Sequence, residues 1–196
     1  MTDNTTKRSI LSTMYQLIAE KGYDKASIGQ ISDAIGIKKA SVYYYFKSKE
    51  DIFLELVQEL FQNDYSGKLQ DFERITSANG YQKELVKLGE DMIESYFANP
   101  ELRKVYAEID LQMTRIPAIK AFIKGNDEKF NRFALQIIAR GVAVGAFPPD
   151  CNIALPAQIL YTVLVGIDQA ILYELPIDPK AVWREIVAKL LNGKVL

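Results

Sequence analysis

At 196 residues the chain is long enough to bury a sizeable core in one or two domains. With 48% hydrophobic and 25% charged residues and a net charge of −1, it is ordinary globular material, and bulk charge points to neither nucleic acid nor membrane. Histidine is absent and Cys151 is the sole cysteine, which excludes an intrachain disulfide and a zinc site built from Cys and His.

The opening MTDNTTKR is polar and lacks the apolar core of a signal peptide. A first helix is expected over residues 6–21, with Ile10, Leu11, Met14, Leu17 and Ile18 as a core stripe. Gly22 ends it, and Tyr23 packs into the small N-terminal core. Ser27, followed three residues later by Gln30, is a capping-box signature that opens a helix carrying Ile28, Ile31 and Ile35. Gly36 stands where a helix ends in a left-handed residue, and Ile37 packs back as the chain reverses. A second short helix starts near Lys38. It carries Lys39, Ser41, Tyr43 and Tyr44 outward, with Ala40, Val42 and Phe46 as inward candidates. Neighbouring helical residues point about 100° apart, so Tyr43, Tyr44 and Tyr45 cannot all be buried, and Tyr45 is the one expected inward. Ser48, with Asp51 three residues on, caps the next helix. Helix, glycine turn and short basic aromatic helix are the parts of a helix-turn-helix.

From Ser48 the spacing of Ile52, Phe53, Leu56, Val57, Leu60 and Phe61 predicts a long helix. It is read as continuing through Tyr65, Leu69 and Phe72 to residue 76, a lever broken only at Asn79-Gly80. A further helix covers residues 81–99, and Pro100 opens another with Val105, Tyr106, Ile109 and Met113 on its apolar face. Pro117 begins a segment running through Phe122, Phe130, Phe133, Ile137 and Val142, with Gly125 as a kink or division, up to the turn at residues 145–149.

Residues 152–175 are apolar nearly all round, so that helix must be covered on both sides. Its apolar run over residues 159–175 is interrupted by Gly166, Asp168 and Gln169, and is too short and too polar for a membrane span. The last helix opens at Asp178-Pro179 and stops at Asn192-Gly193. With one core satisfied and apolar surface left over, this pair reads as a homodimer interface over Leu160, Val163, Gly166, Ile167, Ala170, Val182, Ile186 and Leu190. The alternative is the central helix of a monomer. No useful strand alternation appears, so the fold class is all-α with about nine helices.

Charge divides the chain. Residues 1–49 hold 8 Lys and Arg against 4 acidic residues, net +4, and the remainder holds 16 against 21, net −5. A basic head (1–49) on an acidic body (50–196) is the asymmetry of a DNA-binding module attached to something else.

The string Gly36-Ile37 followed by Ser41-Val42-Tyr43-Tyr44-Tyr45-Phe46-Lys47-Ser48-Lys49-Glu50 resembles the TetR family of one-component transcriptional regulators, over about residues 7–56. That pattern is Gly, an aliphatic residue, a short polar run, then Tyr-x-x-Phe-x-x-Lys-Glu. One position departs: the residue after Ile37, commonly Ser or Thr, is Lys38, which removes a side-chain cap and offers a phosphate contact. The resemblance implies a three-helix head joined by a long helix to a C-terminal ligand-binding and dimerisation domain. It also implies a homodimeric repressor, released from near-palindromic double-stranded DNA by a small, largely apolar effector; no cofactor is expected, and the polar start without a membrane span reads as a cytoplasmic protein. By position, Lys39, Ala40, Ser41 and Tyr44 would face the major groove. Tyr43 and Lys49 would grip phosphate, Ser27 would bind it at a helix N-terminus, and Lys38 and Lys47 would add sequence-blind affinity.

The implied pocket lies between the long helix and the middle helices. Its candidates are Tyr96, Tyr106, Met113, Phe130, Phe133 and Tyr161, with polar Arg103, Asp110 and Asp168. Two other readings stay open. One is a DNA-binding adaptor with no small-molecule ligand. The other is an enzyme in the acidic body, opposed by the lack of histidine, of a glycine-rich phosphate loop and of a nucleophile motif. No catalytic residue and no metal ligand is assigned.

Overall fold

The computed structural model describes residues 3–62 and 65–193, and among these there are ten helices and no strand. They are α1 (Asp3–Lys21), α2 (Ile28–Ile35), α3 (Lys39–Tyr45), α4 (Lys49–Leu60), α5 (Ser66–Glu73), α6 (Ala78–Ala98), α7 (Pro100–Met113), α8 (Pro117–Ala143), α9 (Ala154–Leu172) and α10 (Pro179–Leu191). Two compact units result. The first holds the chain up to Gln62 together with Pro100–Asn126, and the second holds α5, α6, the rest of α8, α9 and α10.

In the first unit α1 packs on α2, α4 and α7. Ile10, Met14, Ile18, Ile31, Val42, Ile52, Phe53, Val105 and Ile109 are fully buried there and form one cluster. Local chemistry sets the boundaries. The Ser27 hydroxyl accepts from the Gln30 amide while the Gln30 side chain accepts from the Ser27 amide, the reciprocal box that the sequence predicts. Gly36 closes α2 at φ 71°, and the Ile37 amide donates to the Ser32 carbonyl at 3.0 Å. Ser48 accepts from the Asp51 amide at 3.0 Å and opens α4.

Three expectations are corrected. The long helix from Ser48 is not continuous: α4 ends at Leu60, where the Phe61 amide bonds back to Val57, and α5 starts at Ser66. Residues 63 and 64 lie outside the described residues. The apolar spacing alone therefore does not carry one helix through this stretch. Asn79-Gly80 does not break the chain either. Ser77 accepts from the Gly80 amide at 3.2 Å, so both residues lie in the first turn of α6. Gly125 neither divides nor ends α8, which runs 27 residues without interruption.

In the second unit α10 packs on α6 and α9, and α6 on α9. The Tyr81 hydroxyl donates to the Ile137 carbonyl at 3.1 Å, fixing α6 to α8. The Arg140 guanidinium donates to the Ile75 carbonyl. The Trp183 indole N–H reaches the Val86 and Leu85 carbonyls at 3.0 and 3.3 Å. Because α9 begins at Ala154, its 19 residues, at mean hydropathy 1.5, are long and apolar enough to cross a bilayer, longer than the run read from sequence. Its Leu160, Leu164, Ile167 and Ile171 are instead buried in the unit's own cluster.

Candidate nucleic-acid interface

The short helix α3 divides cleanly by face. Val42 is 0% exposed and Phe46, the extended residue that caps the helix, is 4% exposed. Lys38, Lys39, Ala40, Ser41, Tyr43 and Tyr44 all face solvent. Ala40 therefore leaves the inward set: it lies two positions, roughly 200°, from Val42 around the helix. Tyr45 is half-buried, packed on the head core, and its ring meets the exposed Tyr44 edge-on at 5.0 Å. That contact limits the orientations open to Tyr44. Lys38 starts α3 from an extended backbone and makes no side-chain cap.

Ser27 is exposed at the α2 N-terminus, beside amides that a helix leaves unpaired. Lys39 reaches back across the first turn of α2, where a Cβ on Gly29 would lie 3.1 Å from its Nζ. The α2 N-terminus and α3 thus share one exposed basic surface. Lys47 is exposed at its edge.

Lys49 departs from the phosphate role expected of it. Its ammonium donates to the Tyr23 and Ala26 carbonyls at 3.1 and 3.2 Å and lies 4.1 Å from the Tyr23 ring centroid. As the first residue of α4 it turns away from the positive helix end, towards carbonyls that attract it. The Tyr23 amide in turn donates to Glu108 on α7 at 3.0 Å, a contact that nothing in local sequence signals.

The second unit contains an apolar cavity of about 20 Å³. Leu85, Leu88 and Met92 of α6 line it, with Phe130, Phe133, Ala134, Ile137 and Ile138 of α8, Leu160 and Leu164 of α9, and Trp183 of α10. Of the residues expected in a pocket, Phe130 and Phe133 are here. Tyr161 lies beside them, its ring 5.4 Å from Phe130 and its hydroxyl donating to Asp127 at 3.1 Å. Tyr96 and Asp168 belong to the same unit without lining the cavity. Arg103, Tyr106, Asp110 and Met113 are on α7 in the other unit and take no part in it.

Half of the residues expected at an interface on α9 and α10 are buried in their own chain. Leu160, Ile167, Ala170 and Leu190 are buried within their own chain, and Val163 and Ile186 are half-buried. Gly166 and Val182 are exposed, together with Leu155, Val165 and Tyr173. A helix apolar all round carries no sequence signal for which face turns inward. Among the described residues no group of three or more His, Cys, Asp or Glu is placed to hold a metal ion.

A capped helix, a left-handed glycine turn and an exposed basic aromatic helix define a helix-turn-helix protein. Residues 10–56 match the family model for bacterial regulatory proteins of the tetR family. The chain is 33% identical over 90 residues to the biofilm operon icaADBC HTH-type negative transcriptional regulator IcaR of Staphylococcus epidermidis, covering 46% of this chain and 49% of that one. Here the chain spans about half the length of its relative. It is 24% identical over 166 residues to the HTH-type transcriptional regulator UidR of Escherichia coli, covering 83% and 79%. The fold is shared with the transcriptional regulator FadR of Bacillus subtilis in complex with stearoyl-CoA, at TM-score 0.74 and 18% identity over 95% of this chain and 98% of that one. Over residues 10–56 the chain carries the DNA-binding segment that the tetR family model describes, and the relatives it resembles are helix-turn-helix transcriptional regulators.

Proposed function

We propose that two copies of this chain form a cytoplasmic repressor that binds a near-palindromic duplex and is released by a small, largely apolar effector. The observation that carries the reading is the division of α3, with Val42 and Phe46 buried and Lys38, Lys39, Ala40, Ser41, Tyr43 and Tyr44 exposed. Lys39, Ala40, Ser41 and Tyr44 read base edges in the major groove, while Ser27, Tyr43, Lys38 and Lys47 hold phosphate. Lys49 is left out of the phosphate set because its ammonium is engaged inside the head.

Two such heads one helical turn apart, ~34–36 Å, enter successive major grooves. Exposed apolar Leu155, Val165 and Val182, with Gly166, support pairing of copies through α9 and α10. Division of labour follows residues 1–49 for DNA and 50–196 for effector and partner subunit. Regulation rather than turnover is the role assigned to the body.

The apolar walls of the cavity support an apolar effector, as does the acyl-CoA held by the FadR fold relative. At about 20 Å³ the cavity is far below the roughly 300–1,000 Å³ of a ligand pocket. An effector must therefore open the core, and it shifts DNA affinity only by preferring that opened state. Coupling of this kind is typically ~1–3 kcal/mol. The small cavity equally favours a ligand-free DNA-binding adaptor. Sedimentation with a mixed-sequence duplex, with and without a long-chain fatty acyl-CoA, separates the readings. A dimer that binds DNA and releases it on acyl-CoA addition supports the first, and a dimer that holds DNA regardless supports the second. A monomer, or a protein that ignores duplex DNA at low salt, removes both.

A further inference from the structure

Between α1 and α2 the chain turns through residues 22–26, and three side chains from distant segments converge on that turn. From α4, the Lys49 ammonium donates to the Tyr23 and Ala26 carbonyls at 3.1 and 3.2 Å, and its nitrogen lies over the Tyr23 ring, 4.1 Å from the centroid. Two of the ammonium's three donors are thus given to carbonyls and its charge to the ring. From α7, Glu108 accepts the Tyr23 amide at 3.0 Å, and just past the end of α7 Arg115 pairs with Asp24 at 3.1 Å. Gly22, at φ 83°, makes room: a Cβ there would come within 3.0 Å of the Glu108 carboxylate. The Tyr23 N–H and C=O are thus held by opposite charges, and Ser27, the α2 cap, follows directly after the Ala26 carbonyl that Lys49 grips.

We propose that Lys49 and Glu108 are positioning residues for DNA binding: they clamp the α1–α2 turn and so aim Ser27 and the α2 N-terminal amides at phosphate, without touching DNA themselves. This rests on the DNA-binding reading above. The groups they aim are neutral, so loss of the clamp removes affinity without removing a released counterion. A lysine on phosphate behaves differently, because each neutralised phosphate contributes a salt slope of about 0.9 in log K against log salt.

The test uses full-length protein and a mixed-sequence duplex, titrated across salt by fluorescence anisotropy, with amide exchange measured on the free protein. Lys49→Met and Glu108→Gln are each expected to weaken binding several-fold at every salt, to keep the wild-type slope, and to speed exchange at Tyr23 and neighbouring amides. Lys38→Ala, the phosphate control, is expected to lower the slope by about 0.9 and leave that exchange unchanged. The clamp is overturned if Lys49→Met lowers the slope as the control does, or if both clamp variants bind like wild type. Should Lys49→Met fail to fold, Glu108→Gln decides alone, since its amide keeps a carbonyl oxygen to accept the Tyr23 N–H but not the charge. If Lys38→Ala also leaves the slope unchanged, it is the exposed DNA face that fails, whatever the clamp variants do.

Discussion

Trp183 fills the space that any side chain at position 89 would need: a Cβ on Gly89 would lie 2.0 Å from the indole Cε2 and 2.2 Å from Nε1. The ring is fixed there, 1% exposed, with its N–H donating to the Val86 and Leu85 carbonyls one turn earlier on α6. Glycine costs a helix interior roughly 1 kcal/mol against alanine, so this position gives up propensity for contact between α6 and α10.

Gly89→Ala therefore tests which effect wins. A rigid, hydrogen-bonded indole cannot yield as a flexible chain end would, so overpacking should dominate. The expected outcome is a net loss of about 1–3 kcal/mol in urea unfolding. Equal or greater stability would mean that α10 is free to shift away from α6.

Gly166 behaves in the opposite way. It lies inside α9, yet a Cβ built there meets nothing within 4 Å. Gly166→Leu should leave the subunit folded, even slightly stabilised by helix propensity, while blocking close approach of a second α9. Sedimentation velocity should show folded monomers where the parent shows dimers. Intact dimers from the variant would put the subunit contact on another face.

The head was legible in sequence because its signals are local. Ser27 with Gln30, Gly36 with Ile37, and Ser48 with Asp51 each define a cap within four residues, and all three caps form as read. What could not be read was set by distant partners. The apolar spacing from Ile52 to Phe72 looks continuous, yet α4 ends at Leu60 and α5 begins only at Ser66. Leu160 and Ile167 are indistinguishable in sequence from Val165, and only packing against α6 and α10 shows which of them turn inward. Glu108 follows Tyr23 by 85 residues, so its grip on the α1–α2 turn leaves no periodic trace.

On α3, exposure separates two kinds of DNA contact. Tyr44 is 76% exposed and braced edge-on against Tyr45, placed to meet a base rather than to pack. Tyr44→Ala should narrow the affinity gap between a selected operator and random duplex, whereas Lys47→Ala should weaken both alike and lower the salt slope by about 0.9. Neither exposed change should move unfolding stability by more than roughly 0.5 kcal/mol. Equal loss on both duplexes from Tyr44→Ala would reassign that ring to the backbone.

Tyr23 gives the head an alkaline limit. Burial, and then Glu50 and Asp24, push its phenol from 10.0 up to about 12. In that window the unfolded chain releases the proton and the folded chain keeps it, so stability falls as pH rises from 10 towards 12. Tyr23→Phe removes the proton and should flatten this part of the stability–pH curve relative to wild type, whatever its effect at neutral pH. Parallel curves for the two proteins would mean that the ring titrates like an exposed one.

The cavity makes its own reporter, because Trp183 is both part of its wall and the chain's single tryptophan. Every lining side chain is apolar, so each buried methylene of a guest gains about 0.8 kcal/mol, and affinity should climb with acyl length once the core has opened. Opening has a cost, since about 20 Å³ admits no acyl chain without displacing Leu85, Phe133 or Leu164. Leu164→Ala enlarges the space in advance, at a stability cost of about 2–5 kcal/mol, and should bind the same acyl probe more tightly because less opening is left to do. Movement of the indole away from the Val86 carbonyl should shift Trp183 emission in both proteins, at lower probe concentration in the variant. Emission that stays constant across a series of acyl lengths, in parent and variant alike, would leave the cavity as a packing defect and favour the adaptor reading.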